Sequence, residues 1–160
     1  MQIDEFQSDH HPFPGSPGPD LQLTMAMVLC VRNWRGILED HLRPLGQSTA
    51  RMEALWAIAH MPPESTQADI ARAMGIEGAT LTRMVQLLVD EELVERFADD
   101  VDRRRNHLRL TAKGQETLAK INEITEKLRA ELISGFETEQ IEQANGFLAQ
   151  LLSRLRTMGP

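Results

Sequence analysis

The chain has 160 residues, 41% hydrophobic and 26% charged, an ordinary mix for one compact soluble domain or one intertwined dimer subunit. No apolar run approaches the roughly 18 residues of a membrane span, the acidic start MQIDEFQSDHHPFPGSPGPD lacks the make-up of a signal peptide, and the single cysteine excludes an internal disulfide framework, so a cytoplasmic protein is expected. The formal net charge of −7 argues against a nucleic-acid partner only until position is considered: from Arg103 to Lys113 there are four arginines, one lysine and no acid.

Residues 1–19 hold four of the eight prolines and nothing that packs a core, so a mobile tail is expected. Asp20 offers an N-cap for a helix reaching about Leu42, with Leu21, Met25, Val28, Leu29, Trp34, Ile37, Leu38 and Leu42 forming a stripe wide enough for more than one partner. Pro44 and Gly46 end it. A second helix follows Ser48 or Thr49, with Met52, Leu55, Trp56 and Ala59 on one face, and stops at Pro62-Pro63. Thr66-Gln67-Ala68-Asp69 is a T-x-x-D variant of the capping box, opening a short helix with Ile70, Ala71 and Met74 inward. After Gly75-Ile76 a helical period runs from about Glu77 to Glu92, burying Leu81, Met84, Val85 and Leu88.

Beyond Leu93 the period changes. Val94–Ala98 and His107–Leu110 read as short strands, with Leu108 and Leu110 inward and His107 and Arg109 outward. The connector lacks a tight-turn signal, so a long, flexible loop is expected there. From Thr111 the helical period returns through Leu118, Ile121, Ile124, Leu128 and Leu132, breaks at Gly135, and resumes as Ile141, Ala144, Leu148, Leu151 and Leu155.

Helix, glycine turn, helix over 66–92 is the helix-turn-helix arrangement, in which the second helix enters the major groove with its N-terminal residues on base edges. The outward residues there are Thr80, Thr82, Arg83 and Gln86, behind the small Gly78 and Ala79, with Thr66 and Gln67 at the start of the preceding helix. Threonine serves base edges or phosphates, and arginine forks onto guanine. The competing reading of the same residues is a solvated amphipathic face. The strand–loop–strand that follows places Asp102, Arg103, Arg104 and Arg105 where a wing reaches the next minor groove, with Asp102 poised to hold Arg104. The flanking apolar helices have too few partners inside one copy, which points to burial against a second copy and a two-fold dimer. An intrachain helical layer is the alternative.

The segments WRGILEDHLRPLG, TQADIARAMGIEGATLTRMVQLLVDEELVER and DRRRNHLRLTAKG make the stretch from about Leu21 to Leu155 resemble the MarR family of bacterial regulators, and within it the SlyA-like branch. The resemblance implies a mainly α (α+β) fold, a winged helix-turn-helix with a helical dimerisation domain from both chain ends. A tail over 1–19, a dimerisation region over 20–62 with 112–160, and a DNA-binding lobe over 63–111 follow from it. It implies a homodimer that binds inverted-repeat duplex DNA and represses or antagonises silencing. Carried over by position, Thr80, Thr82, Arg83 and Gln86 fall on the reading helix, Arg104 on the wing-tip arginine and Asp102 on the acid that orients it. Gly78-Ala79 departs from the larger or Pro-containing residues of SlyA-like proteins, so the operator preference does not transfer.

The family also implies small aromatic acids as effectors. Trp34, Leu38, Met52, Trp56 and Met84 supply apolar walls, and Arg35, His41 or Arg51 a carboxylate partner; plain core packing explains the same spacing. Cys30, among Val28, Leu29 and Val31 in a chain without tyrosine, reads as a buried structural cysteine and not a redox switch. The histidines at 10, 11, 41, 60 and 107 lack metal-ligand spacing, and no nucleophile motif or phosphate loop appears, so no metal, cofactor or enzyme activity is expected. The rival reading from another class is a dimeric winged-helix protein-interaction module; the −7 charge favours it and the basic cluster opposes it.

Overall fold

The computed structural model describes residues 18–98 and 106–158, which form six α-helices and one antiparallel strand pair. The chain divides into two compact units, Met1–Thr49 and Ala50–Pro160.

In the first unit α1 spans Pro19–Leu42. Its N-cap is Gly18, not Asp20: Pro19 takes the first helical position, where its fixed φ and missing N–H cost nothing, and Asp20 sits in the first turn facing the positive end of the helix dipole. A 3-10 turn over Arg43–Leu45 and the left-handed Gly46, at φ 66°, close the helix. Leu38 and Leu42 are buried, whereas Leu21, Val28, Val31 and Ile37 are exposed. Cys30 is exposed as well, against expectation. Its apolar neighbours Val28 and Val31 themselves lie in the open, so an apolar surrounding in sequence did not mean cover within the chain.

The second unit holds the rest of α2 (Thr49–His60), then α3 (Gln67–Met74), α4 (Gly78–Asp90), β1 (Val94–Ala98), β2 (Asn106–Leu110), α5 (Ala112–Leu132) and α6 (Thr138–Met158). Leu55, Ile70, Leu81, Val85, Leu88, Val94 and Ile121 are fully buried and form its core. From α2 the buried face is Ala54, Leu55, Ala57 and Ile58. Trp56 and Ala59, expected beside Leu55, are exposed. Trp56 instead stacks on His60, ring centroids 4.4 Å apart, on the outer surface.

The strands pair Val94 with Leu110, Glu95 with Arg109, Arg96 with Leu108 and Phe97 with His107. His107 is buried, not outward. Its ring stacks on Phe97 across the ladder, its Nδ1–H donates to the Ser65 carbonyl at 3.0 Å, and its backbone bridges Thr66. The segment before α3 thus covers a face that alternation alone leaves open.

At the end of α4 the chain turns through Glu92, the one non-glycine residue with positive φ, 60°, among those described. The Leu93 N–H reaches the Leu88 carbonyl at 2.8 Å, and the Glu92 N–H reaches Val89 at 2.9 Å, the bonding that favours glycine at the left-handed position. Glu92→Gly is expected to stabilise the protein by about 1 kcal/mol. Thermal melting should rise by about 2–4 °C; a fall would mean that the Glu92 carboxylate, 3.8 Å from Lys113, outweighs the relieved backbone.

Candidate nucleic-acid interface

Helix α3 begins with the expected capping box. The Thr66 Oγ accepts from the Asp69 N–H, and the Asp69 carboxylate accepts from the Thr66 N–H at 3.0 Å and from its hydroxyl at 2.6 Å. Arg72 adds a donor to the other carboxylate oxygen at 2.9 Å. The Thr66 hydrogen bonds, side chain first, hold the Asp69 carboxyl well below the usual range, at about 2. A depressed folded-state pKa gives stability that is present above the unfolded value, about 3.9, and lost as pH falls through the folded one. Asp69→Asn should therefore melt lower at pH 7 and show a flatter stability profile between about pH 4 and pH 2. An unchanged acid profile would count against the box.

Gly75, at φ 66°, ends α3, and the Ile76 N–H returns to the Ala71 carbonyl at 3.1 Å. This tight C-cap turns the chain into α4, which buries Leu81, Val85 and Leu88. Thr80, Thr82, Arg83 and Gln86 are all exposed, as the helical period requires. The helix start is bare: Glu77 makes no side-chain cap, and a Cβ at Gly78 would meet nothing within 4 Å. The Thr80 N–H is taken by the Glu77 carbonyl at 3.0 Å, which leaves the N–H groups of Gly78 and Ala79, without a partner among the described residues, at the positive end of the dipole as an approach for a phosphate.

The outward side chains divide into two sets. Thr82 donates to the Gly78 carbonyl at 2.8 Å and accepts from Gln67 Nε2 at 2.7 Å, tying α4 to the first residue of α3. Gln86 is held between Asp90 and Arg96. Thr80 and Arg83 make no side-chain hydrogen bond or ion pair among the described residues. Asp102, Arg103, Arg104 and Arg105 lie outside the described residues. Two other members of the basic cluster are committed. Arg109 donates through Nε to Glu95 at 2.6 Å, raising its pKa, and stands 5.4 Å over the Phe97 ring. Lys113 donates to the Glu91 carbonyl at 2.8 Å.

Sequence reasoning missed Arg96, an exposed cation on β1 that alternation placed only as one strand position. It also missed the clamp at the far end of α4. Arg51 forks onto both carboxylate oxygens of Glu91, Nη1 lying 2.8 Å from Oε1. These hydrogen bonds, against the opposing effect of burial, lower the Glu91 pKa. The expected effector residues fall in both units. Trp34, Leu38 and His41 share one face of α1 with Arg35 beside them, and His41 Nδ1 donates to the Ile37 carbonyl at 2.8 Å. Met52 and Trp56 are on α2, the former half-buried and the latter exposed. Among the described residues no group of three or more His, Cys, Asp or Glu converges on a metal position. No described helix is long and apolar enough to cross a membrane.

A family model described as the MarR family matches residues 46–105. Among solved structures, the transcriptional regulator PA3341 is 30% identical, with 84% of this chain and 98% of that one covered at a TM-score of 0.76. The S. aureus MepR–DNA complex is 23% identical over 82% of this chain and 96% of that one, at 0.75. FabT of Streptococcus pneumoniae in complex with DNA is 22% identical over 87% and 99%, also at 0.75.

Proposed function

The chain belongs to the MarR family, and on that premise we propose that it is a sequence-specific, DNA-binding regulator of transcription, a homodimer that binds inverted-repeat promoter DNA as a repressor or anti-silencer. The observation that carries this reading is α4: an exposed face with an arginine and a threonine that have no side-chain partner among the described residues, an N-terminus without a side-chain cap, and a hydrogen bond from Gln67 that fixes it against α3. Such a helix fits the major groove, and the sequence of Asp102–Arg105 matches the wing of the SlyA-like pattern. Homodimer formation is supported by α6, which has no buried residue although Phe147, Leu148, Leu152 and Leu155 are apolar. An aromatic acid would use the α1 face bearing Trp34, Leu38 and His41, with Arg35 for its carboxylate, and would lower DNA affinity.

The test is a gel shift of the purified protein on the intergenic DNA next to its own gene, across a salt series. A discrete complex that outlives nonspecific competitor and weakens steeply with salt is the expected result. Loss of all binding to competitor would overturn it in favour of a protein-interaction module.

A further inference from the structure

Four arginines of the lobe over 63–111 lie among the described residues, and their partners differ in charge. Arg72 is bonded to Asp69 at 2.9 Å and Arg109 to Glu95 at 2.6 Å, so each cation is matched by a carboxylate. Arg83 has no hydrogen-bonded partner among the described residues. Arg96 is the fourth case: its Nη1 donates at 2.8 Å to Gln86 Oε1, a neutral amide on α4. Gln86 in turn donates through Nε2 to Asp90 Oδ1 at 2.7 Å. The amide orientation is set by chemistry, because arginine only donates and a carboxylate only accepts, so the oxygen must face Arg96 and the nitrogen Asp90.

This arrangement bears on what Gln86 does. Glutamine reads adenine by using both ends of its amide at once, the oxygen towards N6 and the nitrogen towards N7. Here both ends are taken by protein groups. Arg96 meanwhile is exposed, fixed beside the outward face of α4, and has no carboxylate partner among the described residues, with donors to spare. Resting on the reading of α4 as the groove helix, we propose that Arg96 is a contact to a DNA backbone phosphate, and that Gln86 is the positioning residue that aims it, not a reader of bases. A carboxylate at position 86 would hold the same guanidinium but cancel its charge. A neutral amide anchored at Asp90 holds it and leaves the charge for phosphate.

The experiment uses the full chain, the intergenic duplex, a random-sequence duplex of equal length, and a set of intergenic duplexes each changed at one base pair. Arg96→Ala should weaken binding to both duplexes alike and shrink the slope of log affinity against log salt by about one per arginine removed. Arg96→Lys should restore the slope. Gln86→Glu should behave as Arg96→Ala does, since the new carboxylate neutralises the cation. Gln86→Leu should weaken binding while keeping the base preferences of the wild-type protein across the substituted set. A Gln86→Leu protein that loses preference at one base pair would overturn the proposal. So would an Arg96→Ala protein with an unchanged salt slope while the wild type binds. A wild-type protein that binds neither duplex would overturn the regulator reading itself, and this assignment with it. All four variants change exposed side chains, and their thermal melts should stay near that of the wild type.

Discussion

Replacing Gly114 by alanine is expected to destabilise the protein by about 3 kcal/mol or more. Gly114 is the third residue of α5, where the first turn of that helix crosses the chain leaving α4. A Cβ built there would stand 2.0 Å from the Leu93 carbonyl oxygen and 3.0 Å from its carbon, with the Leu110 Cβ at 3.4 Å. Neither backbone can yield alone. The Leu93 carbonyl accepts from the Thr111 N–H at 3.1 Å, the Thr111 hydroxyl donates to the Glu92 carbonyl at 2.6 Å, and the Gly114 N–H donates to the Thr111 hydroxyl at 3.0 Å. Making room for one methyl group therefore breaks the cap of α5 and its anchor on the Glu92-Leu93 turn together. Melting should fall by roughly 10 °C, taking 2–4 °C per kcal/mol for a chain of this size. Gly78→Ala is the matched control, because nothing lies within 4 Å of its Cβ, and its melting temperature should hardly move. Equal behaviour of the two variants would refute the close crossing.

That glycine shows what kind of information the sequence carries. The T-A-K-G exit from the second strand was visible as a pattern, but its cause is a contact between backbones 21 positions apart, Leu93 and Gly114. Local signals were legible throughout. The T-x-x-D box, the Gly75 turn, the 3.6-residue period of α4 and the alternation of β2 depend on neighbours in the chain, and the structure has each element where they put it. Cover was not legible. Helix α2 is apolar nearly all round, so the period that put Trp56 and Ala59 on the core face with Leu55 was not decisive, and the structure buries Ile58 and leaves Trp56 exposed. His107 was placed outward by alternation, yet Ser65, 42 residues earlier, supplies the carbonyl that lets its imidazole be buried. Gln86 was legible as an outward residue of α4 but not as an engaged one, because its partner Arg96 comes from the next element. Asp102, Arg103, Arg104 and Arg105, which the sequence pattern assigns to a wing, lie outside the described residues.

Introducing two glutamates on α6, Leu148→Glu with Leu152→Glu, is expected to convert the protein into a folded monomer that has lost most of its DNA affinity. The two positions are one helical turn apart on a single face, and their side chains are 42% and 57% exposed. Leu155 continues the face at 54%, and no residue of this 21-residue helix is buried. Apolar surface of this extent is unfavourable in water: each leucine gains about 1.5–3 kcal/mol on full burial, and an isolated helix in water has little stability of its own. A second copy, related by a two-fold axis as proposed above, would offer the same apolar face and satisfy both with one interaction. Because the core of the second unit lies in other elements, the double variant should stay folded, with a melt that no longer depends on protein concentration. Two charges carried into an apolar interface cost far more than the contacts they replace, so sedimentation should show one copy where the wild type shows two. DNA binding should suffer beyond the interface itself. Joined subunits engage a second half-site as an intramolecular step, worth on the order of 100- to 10,000-fold in affinity, and a monomer forfeits it. The salt slope should fall to about half, since half as many phosphates are contacted per binding event. A double variant that sediments as a dimer would place the interface elsewhere. A monomer that binds the intergenic duplex as tightly as the wild type would separate DNA recognition from two-fold symmetry, and one copy of α4 would have to account for all of it.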